Sequence, residues 1–145
     1  MKRPPGARHV LITGASSGLG EALALAYAET GVRLALSGRD AVRLERVAFA
    51  CRERGARAAS AVVDATDADA MRSWIETQDE ALPLDLAIAN AGISGGTSGA
   101  GDSVEQVRRI FATNIAGVVN TIEPAAKRMV ARGRGHLALM SSLAS

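Results

Sequence analysis

Aromatic side chains are scarce: two Phe, one Tyr and one Trp in 145 residues, 3% of the chain. Proteins that bind single-stranded nucleic acid without base readout stack successive bases on aromatic rings, so this scarcity argues against that class. The one cysteine, Cys51, excludes an internal disulfide and fits a reducing compartment. The two histidines, His9 and His136, have no Cys or acid at ligand spacing, so no metal site is expected. Charge of one sign is also missing: 17 Lys+Arg against 15 Asp+Glu leave a net +2, with the arginines scattered and no phosphate-tracking stripe. Long apolar runs are absent as well. The basic start is followed only by Val10–Ile12, too short for a signal peptide, and Glu21 interrupts the apolar stretch 19–28. These absences lead to the expectation of a soluble cytoplasmic protein.

What is present is ordinary for a globular domain, with 48% hydrophobic and 22% charged residues. Short apolar runs alternate with helical segments. Strands are predicted at His9–Thr13, Arg33–Ser37, Ala58–Val63, Leu84–Ala89 and His136–Ser141. Helices are predicted at Gly18–Thr30, Ala41–Arg54, Asp67–Thr77 and Ser103–Arg132, the last bent at Pro124. Asp40 and either Thr66 or Asp67 are candidate N-caps, and Gly31, Gly55 and Gly133 are stop signals. Residues 1–8 read as a flexible tail. The alternation predicts a single α/β domain over 1–145, a Rossmann-type doubly wound parallel sheet of five strands. Cys51 falls on the stripe Leu44, Val47, Ala48 of the second helix and reads as a core thiol. Trp74 reads as a packing residue.

Between the first strand and first helix stands Thr13-Gly14-Ala15-Ser16-Ser17-Gly18-Leu19-Gly20. Small residues in a strand–turn–helix context let the backbone approach a phosphate, and a helix N-terminus offers N–H groups and a partial positive charge. Gly20 would let the helix pack close to the sheet. The general dinucleotide fingerprint is G-x-G-x-x-G. The spacing here is G-x-x-x-G-x-G behind a Thr, which resembles the short-chain dehydrogenase/reductase family of NAD(P)-dependent oxidoreductases. Four further stretches strengthen the likeness: Asp64 after the third strand, Ala89-Asn90-Ala91-Gly92 at the end of the fourth, Asn114-Ile115-Ala116-Gly117 on the long helix, and Met140-Ser141-Ser142 after the fifth strand. Ala89 stands where the family has a first Asn.

The resemblance implies that Thr13, Gly14, Ser16, Ser17, Gly18, Leu19 and Gly20 bind a dinucleotide, that Asp64 lies near the adenine, and that Asn90, Ala91 and Gly92 line the ribose side. It further implies catalytic roles for Ser142, which would orient the substrate oxygen, and Asn114, which would hold a water. An acid at the tip of the second strand would select NAD, whereas a cation there accepts the 2′-phosphate of NADP. That tip is Gly38 followed by Arg39, so NADP is expected over NAD. Asp40 is the competing acid, read as a helix cap. The family's Tyr-x-x-x-Lys is absent: Tyr27 is the sole Tyr, Lys2 and Lys127 the sole Lys, and the motif would begin about a dozen residues after Ser142. The chain therefore reads as the cofactor-binding portion of the family domain, truncated after the fifth strand. It is expected to act on a small-molecule alcohol or carbonyl substrate and to form a homo-oligomer in its complete form. The alternative is a non-catalytic dinucleotide-binding module that needs a partner. S-adenosylmethionine, another Rossmann ligand, would leave the downstream stretches unexplained.

Overall fold

In the computed structural model, residues 4–96 and 101–141 are described. The chain forms β1 (His9–Thr13), α1 (Gly18–Tyr27), β2 (Arg33–Gly38), α2 (Ala41–Glu53), β3 (Arg57–Val62), α3 (Ala68–Ala81) and β4 (Leu86–Ala89). There follow α4 (Val104–Phe111), a π-helical turn (Ala112–Ala116), α5 (Gly117–Ala131) and β5 (His136–Leu139). All four strand pairings are parallel, in the order β3-β2-β1-β4-β5. The predicted fold class holds.

Side-chain alternation along β1 explains the layers. Val10 and Ile12 point to one face and pack with Leu34, Leu36 and Ile88 beneath Leu23, Tyr27, Leu44, Val47 and Cys51 of α1 and α2. Leu11, Ala35 and Ala87 point to the other face, under Met71 and Ile75 of α3 and Ala125 and Met129 of α5. Burial on both faces is what an all-parallel sheet requires, and it makes the strands near-continuously apolar. Cys51 is a buried free thiol, and burial raises its pKa.

Several boundaries differ from the sequence expectation, for local reasons. The fourth strand starts at Leu86, not Leu84. Asp79 accepts the Leu84 N–H (2.9 Å), and the Asp85 carboxylate accepts the N–H groups of Arg8 (2.8 Å) and His9 (3.0 Å), so side chains anchor the approach to the strand while the Asp85 backbone already bonds His9 and His136 (both 2.9 Å). The third helix runs on to Ala81, one turn past the predicted Thr77. The tail expected over 1–8 is anchored at its end, where Ala7 is buried and Arg8 meets Asp85. In the long helix, the departure from α geometry falls at Ala112–Ala116, whereas Pro124 lies inside α5. The cations near its end are paired: Arg128 and Arg132 meet Asp79 at 3.3 and 2.9 Å, and Arg134 approaches Asp85 at 3.7 Å.

The strand order reverses between β1 and β4, which opens a crevice at their carboxyl ends. The opposite end of β1 holds a titratable group. His9 is fully buried, its Nδ1 donates to the Leu82 carbonyl (2.6 Å), and its Nε2 has no partner. Burial, chiefly, lowers its pKa from 6.5, although the Leu82 bond opposes the shift. The unfolded chain therefore takes up a proton at a pH where the folded chain resists it. Stability is expected to fall as pH drops below about 6.5, by at most about 1.4 kcal/mol per pH unit from this group. Thermal melts at pH 7.5 and 5.5 check this, with His9→Gln expected to flatten the difference.

Candidate functional site

The crevice is built by reciprocal hydrogen bonds between two strand ends. Thr13 closes β1 and is 1% exposed. Its Oγ1 accepts the N–H groups of Asn90 and Ala91, both at 3.1 Å. Asn90 returns two bonds, its Nδ2 donating to the carbonyls of Thr13 (3.1 Å) and Gly14 (3.3 Å). The turn after β1 is thereby stapled to the end of β4. Gly20 lets α1 lie against this staple, because a Cβ there would collide with the Gly14 carbonyl and stand 2.6 Å from Asn90 Nδ2.

The start of α1 faces the crevice with its first N–H groups open. Asp40, Asp67 and Ser103 cap α2, α3 and α4 with their side chains, but Ser17 makes no such bond to α1. An uncapped start of a ten-residue helix offers donors and positive potential to an anion. A Cβ placed on Gly18 would meet nothing within 4 Å, so the turn presents open space there.

A cavity of about 530 Å³ extends from this turn. Thr13, Gly14, Ser16, Ser17, Gly18 and Leu19 line one side, Arg39 and Asp64 another, and Asn90, Ala91 and Gly92 a third. The structure therefore brings together nearly all of the cofactor-binding residues expected from sequence. Gly20 lies behind the turn and does not line the cavity. Several lining residues were not singled out from sequence: Ser37, Arg43, Val63, Ala65 and Thr113. Most carry no distinctive pattern, and only the register of Ser37 opposite Thr13 places it at the same strand end. The Ser37 hydroxyl is buried without a hydrogen-bond partner on this wall. That orphaned hydroxyl, the open face at Gly18 and the uncapped start of α1 fit a phosphate-bearing dinucleotide.

The two acids that line the cavity, Asp40 and Asp64, are committed. Asp64 accepts both the backbone N–H (2.9 Å) and the hydroxyl (2.8 Å) of Thr66. The Thr66 N–H bond, the hydroxyl bond and Arg39 nearby hold its carboxyl below the usual value against a burial effect of opposite sign. Asp40 caps α2 through the Arg43 N–H (2.9 Å), as its sequence position predicts. Asn114 sits in the π-helical turn and does not line the cavity. Its Oδ1 accepts the Ile93 N–H and its Nδ2 donates to the Ile93 carbonyl, both at 2.8 Å. With both ends of the amide engaged, the side chain positions the segment that follows Gly92. Ser142 lies outside the described residues. Tyr27 is buried in the core beneath α1.

The family described as short chain dehydrogenase matches residues 8–145 of this chain. An uncharacterized oxidoreductase of Myxococcus xanthus is 42% identical over 138 residues, covering 94% of this chain and 54% of that protein. The alcohol dehydrogenase of the archaeon Thermococcus sibiricus, solved with 5-hydroxy-NADP, superposes with a TM-score of 0.83 at 29% identity, covering 93% of this chain and 58% of that one. A xylitol dehydrogenase solved with NAD+ gives 0.86 at 25% identity, covering 94% and 53%. The chain thus spans about half the length of the relatives it matches, and both cofactor types occur among them.

Proposed function

The chain belongs to the short chain dehydrogenase family, and on that premise we propose that it is the cofactor-binding part of an NADP-dependent oxidoreductase acting on an alcohol or carbonyl compound. The observation that carries the reading is the stapled glycine turn, open to a cavity whose far end presents Arg39 while both nearby acids are engaged. A bound nicotinamide supplies or accepts the hydride. The chain's own groups do the rest. The first N–H groups of α1 hold the pyrophosphate, and Arg39 pairs with the 2′-phosphate through its planar fork. Asp64 stands by the adenine, and Asn90, Ala91 and Gly92 form the ribose side. Asn114 fixes the Ile93 backbone at the inner wall, and Ser142 is assigned to orient the substrate oxygen.

Two supporting readings follow. The exposed apolar side chains Val104, Val107, Phe111, Ile115 and Val119 along α4, the π-helical turn and α5 suit a homo-oligomer contact. The single cysteine suits the cytoplasm, and no described helix is long and apolar enough to cross a membrane. The second functional reading is a non-catalytic dinucleotide-binding module, which the same glycine turn and cavity would serve. Hydride transfer to a carbonyl by the cellular protein would exclude it.

Calorimetric titration tests the cofactor reading. The chain should bind NADPH more tightly than NADH, and Arg39→Asp should reverse the order, with NADPH weakened about 10- to 100-fold by loss of one charged hydrogen-bonding partner. Equal or tighter NADH binding by the unmodified chain would sink the assignment.

A further inference from the structure

Arg43 was not singled out from the sequence, yet it lines the same cavity as Arg39. It lies in the first turn of α2, just past the Asp40 cap, while Arg39 precedes that cap, and both border the one cavity. Asp40 engages Arg43 twice. One carboxylate oxygen accepts the backbone N–H at 2.9 Å, and the other meets Nε at 3.5 Å. The ion pair uses Nε, so both terminal nitrogens of the guanidinium remain for another acceptor. On the same wall, near the end of β2, stands Ser37, whose buried hydroxyl has no partner. Gly38 adds no side chain that would fill the space.

Building on the NADP reading, we propose that Arg43 is a second cation for the ribose phosphate, held toward the cavity by Asp40, with the Ser37 hydroxyl as a further donor. A phosphate monoester carries nearly two negative charges near neutral pH and has three acceptor oxygens. One guanidinium leaves that charge incompletely matched, and two match it. Arg43 has a second effect. Asp40 lines the same cavity, where a free carboxylate would repel a phosphate and accept a ribose hydroxyl instead. Pairing with Arg43 neutralises it. Loss of the guanidinium therefore removes a donor and uncovers an acid, and both changes act against NADPH alone.

The test is calorimetric titration of the unmodified chain, Arg43→Met and Arg43→Lys with NADPH, NADH and 2′,5′-ADP. The Arg43→Met change keeps the cap of α2, which uses only the backbone N–H, and thermal melts verify that each variant is folded. NADPH and 2′,5′-ADP are expected to weaken about tenfold or more in Arg43→Met, with NADH within about twofold, and Arg43→Lys to fall between. If the unmodified chain prefers NADPH and Arg43→Met keeps that preference, the role given to Arg43 is overturned while the NADP reading stands. If NADPH and NADH weaken together, Arg43 only supports the fold locally, which also overturns it. If the unmodified chain shows no NADPH preference, the NADP reading itself fails. Should Arg43→Met not fold, Arg43→Lys decides: NADPH binding unchanged from the unmodified chain overturns the proposal.

Discussion

Gly20→Ala is expected to cost the chain about 1–2 kcal/mol of stability and to abolish dinucleotide binding, although alanine is the better helix former. Two effects compete at this position. Replacing glycine by alanine inside a helix gains about 1 kcal/mol from propensity. Against it, the new Cβ would collide with the Gly14 carbonyl and lie 2.6 Å from Asn90 Nδ2. Relief requires α1 to move off the sheet or the turn to shift, and overpacking of this kind typically costs about 1–3 kcal/mol, occasionally more. The atoms displaced are backbone, which gives less readily than a side-chain end, so the clash wins. The Gly14 carbonyl also receives Asn90 Nδ2, and its displacement breaks the staple that shapes the pyrophosphate site. Urea denaturation measures the first effect and NADPH titration the second. A variant more stable than the parent, by the propensity difference alone, would contradict the packing described.

Thr13→Val should be of similar size, about 2–4 kcal/mol, for a different reason. The substitution keeps shape and volume but removes the acceptor of two N–H groups, those of Asn90 and Ala91. Each donor left unsatisfied in a buried setting costs about 1–3 kcal/mol. Thr13→Ser is the control. It retains the hydroxyl and loses one methyl, worth about 0.8 kcal/mol. The pair should separate clearly in denaturant midpoint, and binding should survive in Thr13→Ser but not in Thr13→Val. A larger loss in Thr13→Ser than in Thr13→Val would show that the methyl, not the hydroxyl, holds the turn.

The fold was legible from sequence because both determinants are local. Apolar runs such as Val10–Ile12 and Leu34–Leu36, punctuated by glycines and capped helix starts, specify strands and helices without long-range information. Asp40 as the cap of α2 followed from its place before an apolar-periodic segment, and the structure agrees. The glycine turn was legible because its spacing is distinctive. What sequence did not show depends on contacts between distant residues. The ties of Asp79 to Leu84 and of Asp85 to Arg8 and His9 anchor the chain ahead of β4, and neither has a local signature. The π-helical turn at 112–116 accompanies the Asn114–Ile93 pairing across 21 positions, while Pro124, the obvious irregularity, sits within a regular helix. Arg43 and Ser37 belong to the cavity only because β2, α2 and the glycine turn converge there. The pairing of the Asn114 amide with the Ile93 backbone is likewise a contact between distant residues, and it is compatible with the water-holding role that the family resemblance implies for Asn114.

The account rests on the claim that the glycine turn and its cavity hold a nicotinamide dinucleotide. Calorimetric titration of the chain with NADPH, repeated on Gly20→Ala, tests it most directly. The expected result is saturable binding of one NADPH per chain, competed by 2′,5′-ADP and lost in Gly20→Ala. Absence of binding to the folded parent chain, or binding unchanged in Gly20→Ala, would contradict it.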